Sequence, residues 1–169
     1  MAIDKICESF EAAVSGIKDG STILVSGFGG AGMPTELLNA LREQGASDLT
    51  IVSNNAGVGK EGIGGLLLDG RVRKVICSYP RSGGSVVFEE MWAAGKVDLE
   101  VVPQGTLSER IRAAGAGIGG FYTPTGVGTQ LAEGKEVREI NGRLQVLEAP
   151  LKGDVASVSY THLTLPTKA

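Results

Sequence analysis

Residues that carry metal, redox or disulfide chemistry are scarce in this 169-residue sequence, which has two cysteines and one histidine. Cys7 and Cys77 are too few and too far apart for a disulfide framework or a zinc site. Both stand among apolar neighbours, which predicts two small core residues. His162 lies in the last stretch, outside every motif. No run of about 20 apolar residues is present, so no membrane-spanning helix is expected. The opening MAIDKICESFEAAV has early acids and no apolar cleavable region, unlike a secretory signal. Positive charge is also short. The net charge of −3 argues against a nucleic-acid surface. The expectation is a cytoplasmic protein with no metal, no nucleic acid and no membrane partner.

Glycine is abundant instead. Its 26 residues are roughly double the usual share. They cluster in SGFGGAGMP, GVGKEGIGG, RSGG and AGAGIGGFYTPTGVG, which predicts loops where backbone approaches a ligand or another backbone closely.

Between these clusters the chain alternates helical and strand patterns. Ile3, Ile6, Cys7, Phe10, Val14 and Ile17 recur at spacings of three and four, the mark of one helical face. TILVS, LTIVS, VRKVICS and VDLEVV are short β-branched runs bounded by turn signals, the pattern of buried strands. PTELLNALREQG opens on Pro34 and closes on Gly45, as helices do. EGIGGLLLDG, SVVFEEMWAAGK and TLSERIRAAG are further helices, the last with Thr106 and Glu109 as a capping box. Strands separated by helices predict an α/β fold: a mostly parallel sheet with helices on both faces, in one domain. After Gly115 the pattern loosens into a loop of some 20 residues. KEVREINGRLQVLEAP then reads as a hairpin turning on Asn141-Gly142.

Gly27, Gly29 and Gly32 satisfy the dinucleotide fingerprint G-x-G-x-x-G between a strand and a helix. The fingerprint also needs an acid at the end of the next strand. That strand ends Ser53-Asn54-Asn55, which disfavours a Rossmann-type oxidoreductase. A non-catalytic sugar-phosphate-binding domain of similar fold is a second alternative. The general physics remains: a glycine loop before a helix start offers backbone N–H groups to an anion. Gln104 follows strand four, and Asn54 and Asn55 follow strand two. Parallel sheets place ligands at such carboxyl ends.

DGSTILVSGFGGAGMP resembles the signature of coenzyme A-transferase family I. Asp19, Gly20, Ile23, Leu24, Val25, Gly27, Phe28, Gly32 and Pro34 fit, and Ser26 stands where the family carries a first glycine. The resemblance continues through LTIVSNNAG, VICSYPRSGGSVVFEE, AGKVDLEVVPQGTLSERIRAAGAGIG, FYTPTGVGT, LAEGKEVREINGR and VLEAPLKGDVA. It is strongest to the α subunits of 3-oxoacid enzymes, those using 3-oxoadipate above all.

The resemblance implies a reaction in which a glutamate attacks an acyl-CoA, forms a mixed anhydride and then a glutamyl-CoA thioester, and passes CoA to an acceptor acid. That glutamate lies in a Ser-Glu-Asn-Gly motif on a β subunit, and this chain lacks the motif. CoA enters as substrate, as the succinyl thioester, with no bound prosthetic group. The loop Ser26, Gly27, Phe28, Gly29, Gly30, Ala31 and Gly32 is implied to bind CoA. Gln104 is implied to assist at the thioester oxyanion. Asn54, Asn55, Gly105 and Tyr122 are expected to line the substrate pocket, with Arg81 holding a distal carboxylate bidentately. Family α subunits continue past LKGDVA with other segments. Residues 1–156 are therefore expected to form the family domain, and 157–169 a non-family tail outside the fold.

Overall fold

A computed structural model describes residues 6–160. The predicted N-terminal helix shortens to α1 (Phe10–Val14), capped by the Ser9 hydroxyl, which accepts the Ala12 N–H. Val14 and Ile17 are buried as their spacing predicts, but Ile6, Cys7 and Phe10 are exposed. The reading of Cys7 as a core residue is thus corrected. The helix begins only after it, so residues 6 and 7 never join the apolar face. Ile3 lies outside the described residues.

The chain then alternates through β1 (Thr22–Val25), α2 (Thr35–Gln44), β2 (Leu49–Asn55), α3 (Ile63–Leu68), β3 (Val72–Tyr79), α4 (Val86–Ala93), β4 (Asp98–Val101) and α5 (Gln104–Gly115). Pro34 is the N-cap of α2, and Gly45 closes it in the left-handed region at φ 96°. Only glycine adopts that conformation without a steric cost. The capping box expected at Thr106 does not form. Helix α5 begins two residues earlier at Gln104, so Thr106 is a buried residue inside it. Glu109 pairs with Arg112 at 2.8 Å instead.

The parallel sheet has the order β4-β3-β2-β1-β8, with β8 (Val155–Ser157) returning beside β1. This order determines where the helices go. Right-handed crossovers that step always in one direction put their helices on one face. Helices α2, α3 and α4 make those steps. With α1 they bury Leu38, Leu41, Ile63, Leu66, Val87 and Phe88 against Ile23, Ile51 and Val75. Each such side chain contributes about 1.5–3 kcal/mol of burial. The return to β8 runs the other way, so α5 covers the opposite face. There Leu107 and the half-buried Ile111 pack with Val52, Ile76 and Leu24. Helices on both faces are thus observed, with unequal cover.

A second sheet, antiparallel, holds β5 (Phe121–Thr123), β7 (Arg143–Glu148) and β6 (Val137–Ile140) in the order β5-β7-β6. The predicted turn is present, with Asn141 at φ 52° and Gly142 at φ 74°. This is the left-handed pair a two-residue hairpin turn requires. The segment read as a continuous loop contains β5 and a short 3-10 turn at Gln130–Ala132. Arg110 of α5 joins the two sheets. Its guanidinium lies 2.8 Å from Glu100 on β4 and 3.9 Å from the buried Glu148 on β7. Burial raises the Glu100 pKa, but hydrogen bonds from Arg110 and Lys74 outweigh it and hold the carboxyl below its ordinary range.

Strand β8 ends at Ser157, one residue past the boundary expected at 156. The Ser157 carbonyl accepts the Ser26 N–H at 3.0 Å. Of the expected tail, Ser159 also touches the fold, its N–H donating to the Ser26 hydroxyl at 3.2 Å, and residues 161–169, including His162, lie outside the described residues. Among the described residues no helix is long and apolar enough to cross a membrane.

Candidate active site

All five strands of the main sheet are parallel, so their carboxyl ends share one edge. The chain reverses its direction of travel at β1, between β2 and β8, and such a switch point opens a crevice outside the strand ends. Two grooves lie along that edge. One, of about 360 Å3, is lined by Phe28, Gly29, Asn54, Asn55, Ser78, Tyr79, Ser82 and Gln104. The other, of about 380 Å3, runs down toward α5 and includes Ser26, Gly27, Leu24, Val52, Leu107 and Ile111. Asn54 and Gln104 belong to both and form the wall between them.

That wall is a hydrogen-bonded unit. Gln104 Nε2 donates to Asn54 Oδ1 at 2.7 Å. The Ser78 hydroxyl donates to the same oxygen at 2.7 Å and lies 3.0 Å from the Asn54 main-chain carbonyl. Gln104 is the first residue of α5, where the helix leaves its leading N–H groups without intrahelical partners. Asn55 has a different environment. It is 1% exposed, donates to the Gly29 carbonyl (3.2 Å) and accepts the Gly57 N–H (2.9 Å). The Ser85 hydroxyl in turn donates to the Gly57 carbonyl at 3.0 Å. Asn55 therefore ties the glycine loop to the end of β2 and, through Gly57, to the start of α4.

The glycine loop folds back on itself. Phe28 and Ala31 exchange two main-chain hydrogen bonds, leaving Gly29 and Gly30 at the tip of a tight turn. The Ser26 hydroxyl donates to the Gly32 carbonyl (2.7 Å) and accepts the Ser159 N–H (3.2 Å). The serine in place of the family's glycine thus pins the loop to the chain after β8. Gly27 has φ 125°, and a Cβ there would meet Met33 N at 3.2 Å and Ala31 O at 3.3 Å. Ser26, Gly27, Phe28 and Gly29 reach the grooves. Gly30, Ala31 and Gly32 shape the turn and line neither groove.

Three expected pocket residues stand elsewhere. Tyr122 is on β5, where its hydroxyl donates to Glu136 at 2.7 Å and Arg138 sits 5.4 Å over its ring. The Glu136 hydrogen bond raises the Tyr122 pKa. Strand alternation turns its neighbours Phe121 and Thr123 toward Gly105, in a separate hollow beside the start of α5. Arg81 follows β3 with its side chain 69% exposed, 3.8 Å from Glu89, and does not line the groove. Ser78, Tyr79 and Ser82 do line it and were not singled out in the sequence. The signal was there: SYPRSGG begins on the last two residues of β3, and the strand-end rule applies to it as to the others.

No carboxylate, thiol or imidazole is among the residues lining the two grooves. The site offers amides, hydroxyls, backbone N–H groups and two exposed aromatic rings, Phe28 and Tyr79. It can orient a polar ligand and donate hydrogen bonds to a developing oxyanion, but it holds no strong nucleophile.

A family profile described as coenzyme A transferase matches residues 7–163. The A-type subunit of the 3-oxoadipate CoA-transferase of Pseudomonas putida is 62% identical over 156 residues, 92% of this chain and 68% of that protein. The chain belongs to the coenzyme A transferase family. The A-type subunit of a probable succinyl-CoA:3-ketoacid coenzyme A transferase from Bacillus subtilis is 50% identical, over 91% of this chain and 64% of its own length. Among solved structures, the Escherichia coli O157:H7 acyl-CoA transferase YdiF in a thioester complex with CoA superposes with a TM-score of 0.74 at 25% identity. That match covers 88% of this chain and 33% of YdiF. The glutaconate coenzyme A-transferase of Acidaminococcus fermentans, at 20% identity and a TM-score of 0.71 over 88% of this chain and 54% of its own, shares the fold. Family membership leaves the oxidoreductase and sugar-phosphate readings without support, and the structure places no acid at the end of β2.

Proposed function

We propose that this chain is the A-type subunit of a CoA-transferase that moves CoA from succinyl-CoA to a 3-oxoacid such as 3-oxoadipate, in the cytoplasm. Its partner, a β subunit, supplies the glutamate that attacks the thioester. The observation that carries this reading is the Asn54–Gln104 wall at the strand ends, in a groove whose lining has no nucleophile of its own. The Pseudomonas and Bacillus relatives, both named as A-type subunits, support the division of labour.

The chemistry divides accordingly. The attacking carboxylate comes from across the subunit boundary. As it adds to the thioester carbonyl, negative charge builds on the carbonyl oxygen. Gln104 Nε2 has two N–H groups, of which Asn54 Oδ1 takes one. The second is the donor assigned to the oxyanion. The glycine loop lets the pantetheine tail pass close to backbone at Gly27 and Gly29. Arg81, at the exposed rim, is the residue assigned to a distal carboxylate, after release from Glu89.

The test is an assay with succinyl-CoA and 3-oxoadipate, using this chain alone and with a separately purified β subunit that carries Ser-Glu-Asn-Gly. Turnover is expected only from the pair. Gln104→Ala in the pair should lower kcat about 100- to 1000-fold, the usual effect of losing one oxyanion donor, with little change in CoA affinity. Turnover by this chain alone, or an inactive pair, would overturn the reading.

A further inference from the structure

Asn55 is the buried member of the pair at the end of β2, and its two partners are main-chain groups that each work in one sense only. The Gly57 N–H can only donate, and Asn55 Oδ1 accepts it at 2.9 Å. The Gly29 carbonyl can only accept, and Asn55 Nδ2 donates to it at 3.2 Å. Turning the amide over would set its NH2 against the Gly57 N–H. Two donors would then face each other at a side chain 1% exposed. The scaffold thus fixes the orientation of Asn55, and the glycine loop has to match it.

The loop itself admits two forms. Phe28 and Ala31 close a two-residue turn whose central peptide joins Gly29 to Gly30. Gly29 is left-handed at φ 62° and Gly30 is not, which is the type II′ form. Turning the central peptide over gives type I′, in which both residues are left-handed, and two glycines permit either form. The closing hydrogen bonds are the same in both, so the difference lies in which group faces outward. In a trans peptide the C=O and N–H point in opposite directions. With the Gly29 carbonyl held by Asn55, the Gly30 N–H points away from Asn55. Gly30 is exposed, and its N–H has no partner among the described residues.

We infer that Asn55 is a positioning residue of the glycine loop: by holding the Gly29 carbonyl it keeps the Gly30 N–H outward, as a hydrogen-bond donor to an amide carbonyl of the pantetheine tail of CoA. The inference rests on the transferase reading above, which sends that tail past Gly29. The flipped turn would show the tail a carbonyl oxygen, acceptor against acceptor, and would leave the Asn55 NH2 buried without a partner. The tail is bound alike before and during the chemistry, so the contact belongs to KM rather than to kcat.

The experiment uses the two-subunit enzyme with succinyl-CoA and 3-oxoadipate. Asn55→Asp keeps the acceptor for the Gly57 N–H and puts a second carboxylate oxygen in place of the NH2. At about pH 8 two N–H donors hold that carboxylate ionised. It repels the Gly29 carbonyl and accepts the Gly30 N–H of the flipped turn, so the preference of the loop reverses. KM for succinyl-CoA is expected to rise about tenfold or more as the competent form is depleted, with kcat within about twofold. Asn55→Ala removes the holder without reversing the preference and should raise KM by less. Gly30→Ala, added to either variant, should recover most of the loss. A Cβ there meets nothing within 4 Å in the observed turn, whereas type I′ would force it into the left-handed region. Succinyl-pantetheine, which keeps the amides and lacks the nucleotide phosphates, should show the same rise. A loss confined to kcat, no recovery with Gly30→Ala, or a rise seen with succinyl-CoA alone would each overturn the inference. A second measurement needs no turnover: amide hydrogen exchange at Gly30 should be fast in the wild type and slowed in Asn55→Asp. An inactive wild-type pair sinks the transferase reading, whereas unchanged exchange at Gly30 in Asn55→Asp sinks the role of Asn55.

Discussion

At the scale of single residues, environment separates side chains of identical chemistry. Asn54 and Asn55 are adjacent and read alike in the sequence. Alternation along β2 turns them in opposite directions, so Asn54 stands in the wall between the two grooves while Asn55, which lines only one, spends its amide on Gly29 and Gly57. The two cysteines diverge more sharply. Cys7 is exposed, and Cys77 is fully buried on β3. Burial pushes the Cys77 thiol up from an ordinary 9.0 to about 11. A thiol reagent at about pH 8 should therefore modify one cysteine per folded chain, Cys7, and the second only after denaturant is added. The pH dependence has a definite sign. Between 9 and about 11 the unfolded chain releases the Cys77 proton more readily than the folded one. Stability is thus lost as pH rises through that window, and the urea midpoint should fall there by more than it does in Cys77→Ala. Equal labelling of both thiols in the native protein would contradict the buried placement.

At the scale of elements, the glycine loop shows why composition alone is ambiguous. Its glycines look interchangeable in GFGGAG but differ in what confines them. Gly27 combines φ 125° with backbone atoms 3.2 and 3.3 Å from the place of a Cβ. Gly29 has φ 62° and open space around it. Gly29→Ala should thus cost about 1–2 kcal/mol, the penalty of the left-handed region alone. Gly27→Ala should cost about 2 kcal/mol or more, because strain and contact with backbone combine. Urea unfolding of the two variants measures the order directly, and equal midpoints would show that the loop relaxes freely around Gly27.

At the scale of the whole molecule, two sheets must hold together for the strand ends to keep their positions. Arg110 is the joint. It reaches Glu100 on the parallel sheet, Glu148 on the antiparallel one, and the Ala149 carbonyl at 2.8 Å. Glu148 is only 3% exposed, but it keeps Lys135 at 2.7 Å, and Glu100 keeps Lys74 at 2.6 Å, when Arg110 is removed. Arg110→Met should therefore destabilise the chain by about 1.5–3 kcal/mol, the usual loss of a hydrogen bond to a charged group. Arg112→Ala, which breaks the exposed pair with Glu109, should change stability by less than about 1 kcal/mol. Thermal unfolding compares the two, and a mild Arg110 variant would mean the sheets are held by apolar packing alone.

The sequence by itself determined the alternation of strands and helices, the left-handed stop at Gly45, the Asn141-Gly142 turn and the glycine loop after β1. Each depends on neighbours within a few positions, where backbone sterics and hydrophobic periodicity act. It also carried enough of the family signature to mark the coenzyme A transferase family, which the profile match over residues 7–163 shows. The tertiary structure alone decided what those elements face. Strand order put α5 on the opposite face from α2, α3 and α4, and the start of α5 two residues before its expected cap put Gln104 against Asn54. Residue alternation on β5 turned Tyr122 toward Glu136 and away from the groove. Ser78 entered the site because parallel pairing brings the ends of β2 and β3 side by side, a contact between residues 24 positions apart that no local pattern encodes.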